Sequence, residues 1–199
     1  MSSLAGVDSW MFEHINGFVG TWWLFDRVMS TVVNEYFITV TLSLMLFVLW
    51  FAGRSPEARR VSQQAVVCAV LAQGLANAIV KLNNLIYFRP RPFDNPALHV
   101  NLIFYRPTDS SMPSNPAAVG FAFATAVWQY NRRAGVVLYA LASLFAFSRV
   151  YSGVHYPSDV VAGAGVGIVA ALIVHALVRS VLQPLVRGII DVGRRLYLA

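Results

Sequence analysis

Long apolar runs without a formal charge, separated by short polar or basic segments, dominate this sequence. Most of these runs have the roughly 17–25 residues that a helix needs to cross a bilayer. The shortest reaches that length if its helix continues past Arg149. The pattern therefore predicts an all-α integral membrane protein. The five runs are Tyr36–Gly53, Val61–Val80, Met112–Asn131, Ala134–Ser148 and Val160–Val178.

The N-terminal part of the chain is less regular. Ile15–Phe25 is largely apolar, but charged and polar residues between Asp26 and Glu35 interrupt its continuation. We expect an interfacial helix over Asp8–Gly17, within an interfacial segment of about residues 1–18, and a polar-faced first transmembrane helix over about Thr21–Asn34. This gives six predicted spans. No basic region precedes the first apolar residues, so a cleavable signal peptide is not expected.

The composition also places the protein in a bilayer. Hydrophobic residues make up 57% of the chain, charged residues make up 12%, and the mean hydropathy is +0.60. These values lie far from those of soluble domains. No internal repeat or flexible linker interrupts the chain, so we interpret residues 1–199 as a single membrane domain. Its C-terminal tail, about residues 181–199, mixes arginines with apolar residues and is typical of an amphipathic surface helix.

Three arginine clusters orient the predicted helices. With six spans they all fall on one side, which the positive-inside rule identifies as cytoplasmic. Both termini are then expected inside the cell, and the loops Tyr87–Ser111 and Arg149–Ser158 on the extracytoplasmic side of the cell (inner) membrane. Anionic lipid headgroups suit the net charge of +6, so membrane lipids are expected as partners and nucleic acid is not. The clusters are Arg54, Arg59 and Arg60; Arg132 and Arg133; and Arg179, Arg187, Arg194 and Arg195.

The residues that carry chemistry gather between Ser148 and Asp159, where the sequence reads S-R-x5-H-x3-D. An imidazole whose tautomer is held by a carboxylate can attack phosphorus, and guanidinium groups neutralise phosphoryl oxygens. We therefore expect His155 to be a nucleophile, Asp159 to hold its other ring nitrogen, and Arg149 to bind phosphate. No metal or cofactor is expected, because the sequence lacks the carboxylate clusters and His/Cys spacings of metal sites.

A second basic element, the Y-F-R-P-R-P-F sequence of Tyr87–Phe93, follows the apolar run that ends at Val80. Its prolines stop the preceding helix and hold two guanidinium groups near the membrane surface. Arg91 and Arg89 are therefore candidate phosphate ligands. Lys81 can reach the phosphate by snorkelling, or it can be an ordinary interfacial lysine at a helix end.

These motifs resemble those of the type 2 phosphatidic acid phosphatase family, which is related to the vanadium haloperoxidases. The third family signature is complete in the S-R-x5-H-x3-D sequence, whereas only the R-P half of the first signature, K-x6-R-P, is present. The lysine position falls on Asn84 if Arg91 is the family arginine, and on Leu82 if Arg89 is. The resemblance implies a six-transmembrane-helix bundle, and the R-P-R-P-F sequence is most similar to bacterial undecaprenyl-diphosphate phosphatases.

The second family signature, P-S-G-H, appears here as Pro113-Ser114-Asn115-Pro116. The resemblance implies that Ser114, Asn115 and neighbouring backbone N–H groups bind phosphoryl oxygens. It also implies that the histidine, replaced here by Pro116, protonates the leaving oxygen. Proline cannot carry that proton, so substrates with a good leaving group are favoured. A diphosphate is such a substrate, because its leaving group is a phosphate monoester with a second pKa near about 6.

Two residues of the outer loop are candidates for the missing acid. His99 is the alternative acid in this interpretation, although a loop histidine is more often simply solvated. Asp109 precedes Ser110 and is equally well explained by turn formation. Either side chain would protonate the product directly or through water.

Three classes of function remain open from the sequence. The first, which we predict, is a lipid phosphatase that hydrolyses a polyprenyl (undecaprenyl-type) diphosphate to the monophosphate and inorganic phosphate through a phosphohistidine. The second is a phosphotransferase that passes the phosphate to another lipid. The third is a noncatalytic binder or transporter of lipid phosphates, which the proline at position 116 keeps open.

Overall fold

The computed structural model describes residues 3–196, and helices account for most of that range. A 3-10 turn lies at Pro92–Asp94, and a π-helical turn at Val178–Leu182 joins the last two helices. The eight α-helices of the described residues are α1 (Ser3–Asn16), α2 (Trp23–Val32), α3 (Glu35–Phe51), α4 (Pro56–Ile86), α5 (Asn115–Trp128), α6 (Arg132–Tyr151), α7 (Pro157–Leu177) and α8 (Gln183–Arg195).

Polar residues in the short connections start the helices. The side chains of Asn34, Ser55 and Asn131 accept hydrogen bonds from backbone N–H groups at the starts of α3, α4 and α6. Such caps contribute about 1 kcal/mol each, because the first N–H groups of a helix have no partner within it. Pro56 and Pro157 occupy the first positions of α4 and α7, where the missing N–H group costs nothing.

Helix α5 lies at the centre of the bundle and packs against α4, α6 and α7. Its contact with α7 is close because Gly163 and Gly167 face its backbone. A Cβ atom on either glycine would overlap the carbonyl oxygen of Ser114 or Ala118, respectively. The small residues on α7 therefore allow α5 to start directly beside α7, as is typical of membrane helix pairs.

Helices α3 to α7 run back and forth between two ends of the bundle. At the site end, α4 and α6 finish while α5 and α7 begin. At the basic end, α3 finishes and α4 and α6 begin, and Arg60 of α4 forms a 3.0 Å ion pair with Asp191 of α8. Within residues 3–196, three helices are long and apolar enough to cross a membrane: α4, α6, and α7 with its continuation to Gly193.

Helix α1 lies at the site end. The buried Asn16 donates hydrogen bonds to the carbonyl oxygens of Asn101 at 2.9 Å and Tyr151 at 2.8 Å. Asn101 belongs to the loop after α4, and Tyr151 is the last residue of α6. The opposite face of α1 exposes Val7, Trp10 and Met11, side chains that suit a membrane surface.

Helix α2 lies within the predicted first transmembrane segment, Thr21–Asn34. It remains at the site end, however, and does not run to the other end of the bundle. With 10 residues, α2 is only about 15 Å long. Both of its ends contact the end of α6: Asp26 accepts a 2.6 Å hydrogen bond from the Tyr151 hydroxyl, and the Val33 carbonyl accepts one of 3.3 Å from Arg149. The described residues thus contain five helices between the two ends, not six.

This arrangement corrects the expected sidedness of the chain. The expectation that both termini lie on one side depended on six crossings. With five, the first described helix, α1, lies at the site end and the last, α8, lies at the basic end. The arginine clusters at the starts of α4 and α6 keep their predicted relation to the two loops of the site end, which follow the other ends of these helices.

Candidate active site

A tight turn between α6 and α7 carries His155 into the protein. Gly153 has a φ of 85°, a backbone conformation that glycine adopts most easily, and a Cβ atom there would meet the side chain of Val100 at 2.8 Å. The turn directs His155 inward, where only 1% of the residue is exposed.

The hydrogen bonds of His155 define its tautomer. Its Nδ1 atom lies 2.8 Å from the carbonyl oxygen of Ser111, which can only accept, so Nδ1 carries the proton. Its Nε2 atom lies 3.3 Å from Nη1 of Arg91 and is therefore the acceptor. Burial, with a smaller effect of the Arg149 and Arg91 charges, lowers the pKa of His155 to about 4 against the opposing effect of Asp159. The ring is thus neutral at pH 7, with the Nε2 lone pair available.

Asp159 lies in the first turn of α7 but does not make the expected hydrogen bond to His155. Its Oδ2 atom is 3.7 Å from Nδ1 of the ring. The same oxygen instead accepts hydrogen bonds from the Ser111 hydroxyl and from the backbone N–H of Tyr156, at 2.5 and 2.8 Å. Ser111 therefore links the two residues, because its carbonyl holds the ring and its hydroxyl holds the carboxylate.

Two buried arginines flank His155. Arg91 is 3% exposed and donates to the carbonyl oxygen of Val154 at 2.7 Å, and to the carboxylate and the carbonyl oxygen of Asp109 at 2.8 and 3.1 Å. Arg149 is 1% exposed, and its guanidinium lies 5.0 Å from the ring centre of Phe104. Both guanidinium groups line the same cavity as His155.

The cavity has a volume of about 250 Å³ and includes Asn115 and Pro116 in its wall. These residues begin α5, and the start of a helix attracts anions through its dipole and free N–H groups. The Ser114 hydroxyl and the Asn115 amide oxygen are buried without a hydrogen-bond partner among residues 3–196. Buried polar atoms of this kind usually have a ligand or water partner; the Ser114 hydroxyl can donate to an anion, whereas the Asn115 oxygen can only accept a hydrogen bond.

Three other candidate residues lie outside the cavity wall. Arg89 forms ion pairs with Asp8 at 2.7 Å and with Asp159 at 2.5 Å. Its guanidinium therefore binds two carboxylates and does not line the cavity. Lys81 and His99 are both exposed, and neither lines the cavity. Asp109, in contrast, lies at its edge on Arg91.

The placement of Arg91 favours one register of the first motif. Arg91 lines the cavity and Arg89 does not, and with Arg91 as the motif arginine the lysine position of K-x6-R-P falls on Asn84. Sequence reasoning did not identify Ser111, because its bond to His155 uses a backbone carbonyl that every residue has, and its hydroxyl bonds to Asp159, 48 positions away in the chain. In the described part of the chain, no group of three His, Cys, Asp or Glu side chains is placed to hold a metal ion.

Comparison with known proteins identifies the family of this chain. Residues 65–182 match the PAP2 superfamily. The undecaprenyl-diphosphatase BcrC of Bacillus subtilis is 28% identical over 188 residues, which cover 94% of this chain and 90% of that protein. The crystal structure of Aquifex aeolicus LpxE superposes with a TM-score of 0.64 at 27% identity, covering 83% of this chain and 93% of LpxE.

A second solved structure shares the fold. It is the first transmembrane PAP2-type phosphatidylglycerolphosphate phosphatase from Bacillus subtilis, with a TM-score of 0.63 and 17% identity over 91% of this chain and 89% of that one. The family match covers more than half of the sequence and includes His155, Asp159, Arg149 and the start of α5. The chain therefore belongs to the PAP2 superfamily and is an enzyme of the phosphatase kind.

Proposed function

We propose that this phosphatase hydrolyses a polyprenyl diphosphate of the undecaprenyl type to the lipid monophosphate and inorganic phosphate. The observation that carries the proposal is a neutral His155 whose Nε2 atom faces two buried arginines, in a cavity where Pro116 takes the position of the family's acid. The name of the BcrC relative supports the substrate class.

In the proposed mechanism, Arg91, Arg149 and the start of α5 hold the terminal phosphate. Nε2 of His155 then attacks phosphorus, and the bond from phosphorus to the bridging oxygen breaks, so that the lipid monophosphate leaves with the electron pair. The imidazole becomes positively charged, while Nδ1 keeps its proton and donates it in a hydrogen bond to the Ser111 carbonyl oxygen. Asp159, 3.7 Å from Nδ1, stabilises this charge through space. Water then attacks phosphorus, the bond from phosphorus to Nε2 breaks with its electron pair returning to Nε2, and inorganic phosphate and a proton are released.

The replacement of histidine by proline selects among lipid phosphates. General acid catalysis is commonly worth about 100- to 10,000-fold, and an alkoxide leaving group depends on it far more than a phosphate monoester does. Asp109 is a poor substitute acid, because its carboxylate is paired with Arg91. We therefore infer that a diphosphate is hydrolysed well and phosphatidic acid poorly.

The proposed location of this chemistry is the extracytoplasmic side of the cell membrane. Arg54, Arg60, Arg132 and Arg187 all belong to the basic end, which the positive-inside rule puts in the cytoplasm. The site end and α1 then face outward.

The test measures phosphate release from a long-chain prenyl diphosphate and from phosphatidic acid by the purified protein in detergent. We expect release from the diphosphate alone, with none transferred to an added lipid acceptor. His155→Ala should abolish it, whereas His14→Ala, which changes an exposed histidine of α1, should not.

The same assay tests the leaving-group argument. Pro116→His restores an acid at the cavity wall and should raise the rate with phosphatidic acid by at least about 100-fold, with a smaller effect on the diphosphate. Equal rates with both lipids for the wild type would contradict the proposed selectivity. Absence of release from either lipid would contradict the proposed function.

A further inference from the structure

A chain of charged contacts joins α1 to the carboxylate behind His155. Asp8 of α1 is 9% exposed, and its Oδ2 atom accepts hydrogen bonds from Arg89 at 2.7 Å and from the Ser158 hydroxyl at 2.5 Å. The other nitrogen of the same guanidinium, Nη1, contacts Asp159 at 2.5 Å. Arg89 thus bridges two carboxylates, one from α1 and one from the first turn of α7.

The same aspartate fixes the start of α7. Its Oδ1 atom accepts a 2.9 Å hydrogen bond from the backbone N–H of Ser158, the second residue of that helix. The first N–H groups of a helix lack partners within it, so a carboxylate in this position stabilises the first turn. Asp159 lies in that turn, and its orientation is therefore coupled to Asp8.

Aromatic contacts hold α1 in place around this network. The Arg89 guanidinium lies 4.2 Å from the ring centre of Tyr156, next to His155 in the chain. Phe12 of α1 is fully buried, and its ring centre is 5.7 Å from that of Tyr156. The aspartate is thus presented by a packed helix face and not by a free terminal segment.

The charges of the network decide how Asp159 acts on His155. Paired with Arg89 alone, Asp159 would lose most of its effect on a positive imidazole a few ångströms away. Asp8 shares the guanidinium, so the three side chains together keep one net negative charge behind His155. That charge matters when the ring becomes positive, which happens only as the bond to phosphorus forms.

We propose that Asp8 is a positioning residue of the active site, which acts through Arg89 and Ser158 to hold Asp159 and its negative charge behind His155. The proposal rests on the phosphohistidine chemistry proposed above but not on the identity of the lipid. Asp8 itself does not line the cavity and has no contact with the phosphate site.

The primary test compares Asp8→Asn with Glu13→Gln, a matched loss of an exposed carboxylate on the same helix. Asp8→Asn should lower kcat for the prenyl diphosphate on the order of tenfold and leave KM unchanged, because the contact acts in the transition state and not on bound substrate. Glu13→Gln should match the wild type. In an Asp159→Asn background, Asp8→Asn should cause no further loss, because both act through one group.

The proposal is overturned if Asp8→Asn leaves kcat unchanged, if it raises KM instead, or if it costs the same factor with and without Asp159. Melting temperatures in detergent separate these effects from misfolding. Arg89→Lys gives a second test in case Asp8→Asn is unstable: it keeps the charge, but a lysine cannot bridge two carboxylates with a rigid fork. It should likewise lower kcat without raising KM, and an unchanged kcat would also overturn the proposal.

A binding measurement, which needs no turnover, tests this inference separately from the proposed function. Orthovanadate adopts the five-coordinate geometry of phosphoryl transfer, so its affinity reports the stabilisation of the transition state. If the wild type releases no phosphate, the proposed lipid phosphatase activity fails, but the positioning role still predicts weaker vanadate binding by Asp8→Asn than by Glu13→Gln. Equal affinities would reject the role of Asp8.

Discussion

At the scale of single residues, burial determines which form of His155 meets the substrate. Nucleophilic attack requires the neutral ring, and a pKa of about 4 keeps the ring neutral at every pH well above that value. An unperturbed histidine would instead lose its nucleophile as the pH fell through about 6.5.

This gives a prediction for the pH dependence of kcat/KM. The acid limb that belongs to His155 should lie near pH 4, so activity should persist between pH 6.5 and pH 5 after correction for the ionisation of the substrate. The substrate correction comes from ³¹P NMR titration of the same diphosphate in detergent. A corrected limb centred near pH 6.5 would show that the site does not keep the ring neutral.

The sequence predicted His155, Arg149 and Ser114 as parts of one phosphate site, because each stands in a motif that resembles a family signature. It could not separate Arg91 from Arg89, since both precede a proline and both follow the same helix. Only the fold shows that the first faces the cavity while the second faces two carboxylates.

At the scale of helices, the contact between α5 and α7 positions the phosphate-binding wall. Gly163 and Gly167 allow this contact, because a Cβ atom on either would overlap a backbone carbonyl oxygen of the Ser114–Ala118 stretch. Helix α5 itself was predicted from its apolar run, but its start at Asn115 and its central place depend on contacts with three other helices.

A pair of alanine substitutions on α7 tests this packing. Alanine favours a helix over glycine by about 1 kcal/mol, so Gly165→Ala, where a Cβ atom meets nothing within 4 Å, should be neutral or stabilising. Gly167→Ala should instead destabilise by about 1–3 kcal/mol, because its Cβ atom would overlap the Ala118 carbonyl oxygen. Thermal unfolding of both variants in the same detergent gives the comparison; equal melting temperatures would show that the helices are not closely packed.

The sequence also predicted α3, α4, α6 and α7 as spans, because long apolar runs are sufficient for that. The predicted span before α3, over about Thr21–Asn34, is not confirmed. Asp26 looks like an interruption of a span, whereas its side chain bonds to Tyr151, 125 positions away in the chain, a contact that cannot be inferred from local pattern.

At the scale of the whole molecule, the proposed topology has five crossings, α3 to α7, with α1 and α8 on opposite faces of the membrane. Single cysteines in a Cys68→Ser background test this arrangement with a membrane-impermeant maleimide on intact cells. Glu13→Cys on α1 should react from outside, and Arg195→Cys on α8 should react only after the membrane is opened. Protection of both positions in intact cells would restore the six-crossing topology.

The link between Asp8 and α7 has a consequence for biogenesis. In the proposed orientation, α1 and α2 must be exported before the bundle can close, and Asp8 meets its partners only after α7 has been synthesised. Asp8, Glu13 and Asp26 outnumber the one basic residue of this stretch, Arg27, so an inside-negative membrane potential pulls the segment outward. A chain that retained this segment in the cytoplasm could not place α3 across the membrane, because α3 follows α2 directly, and it would lack a finished catalytic centre.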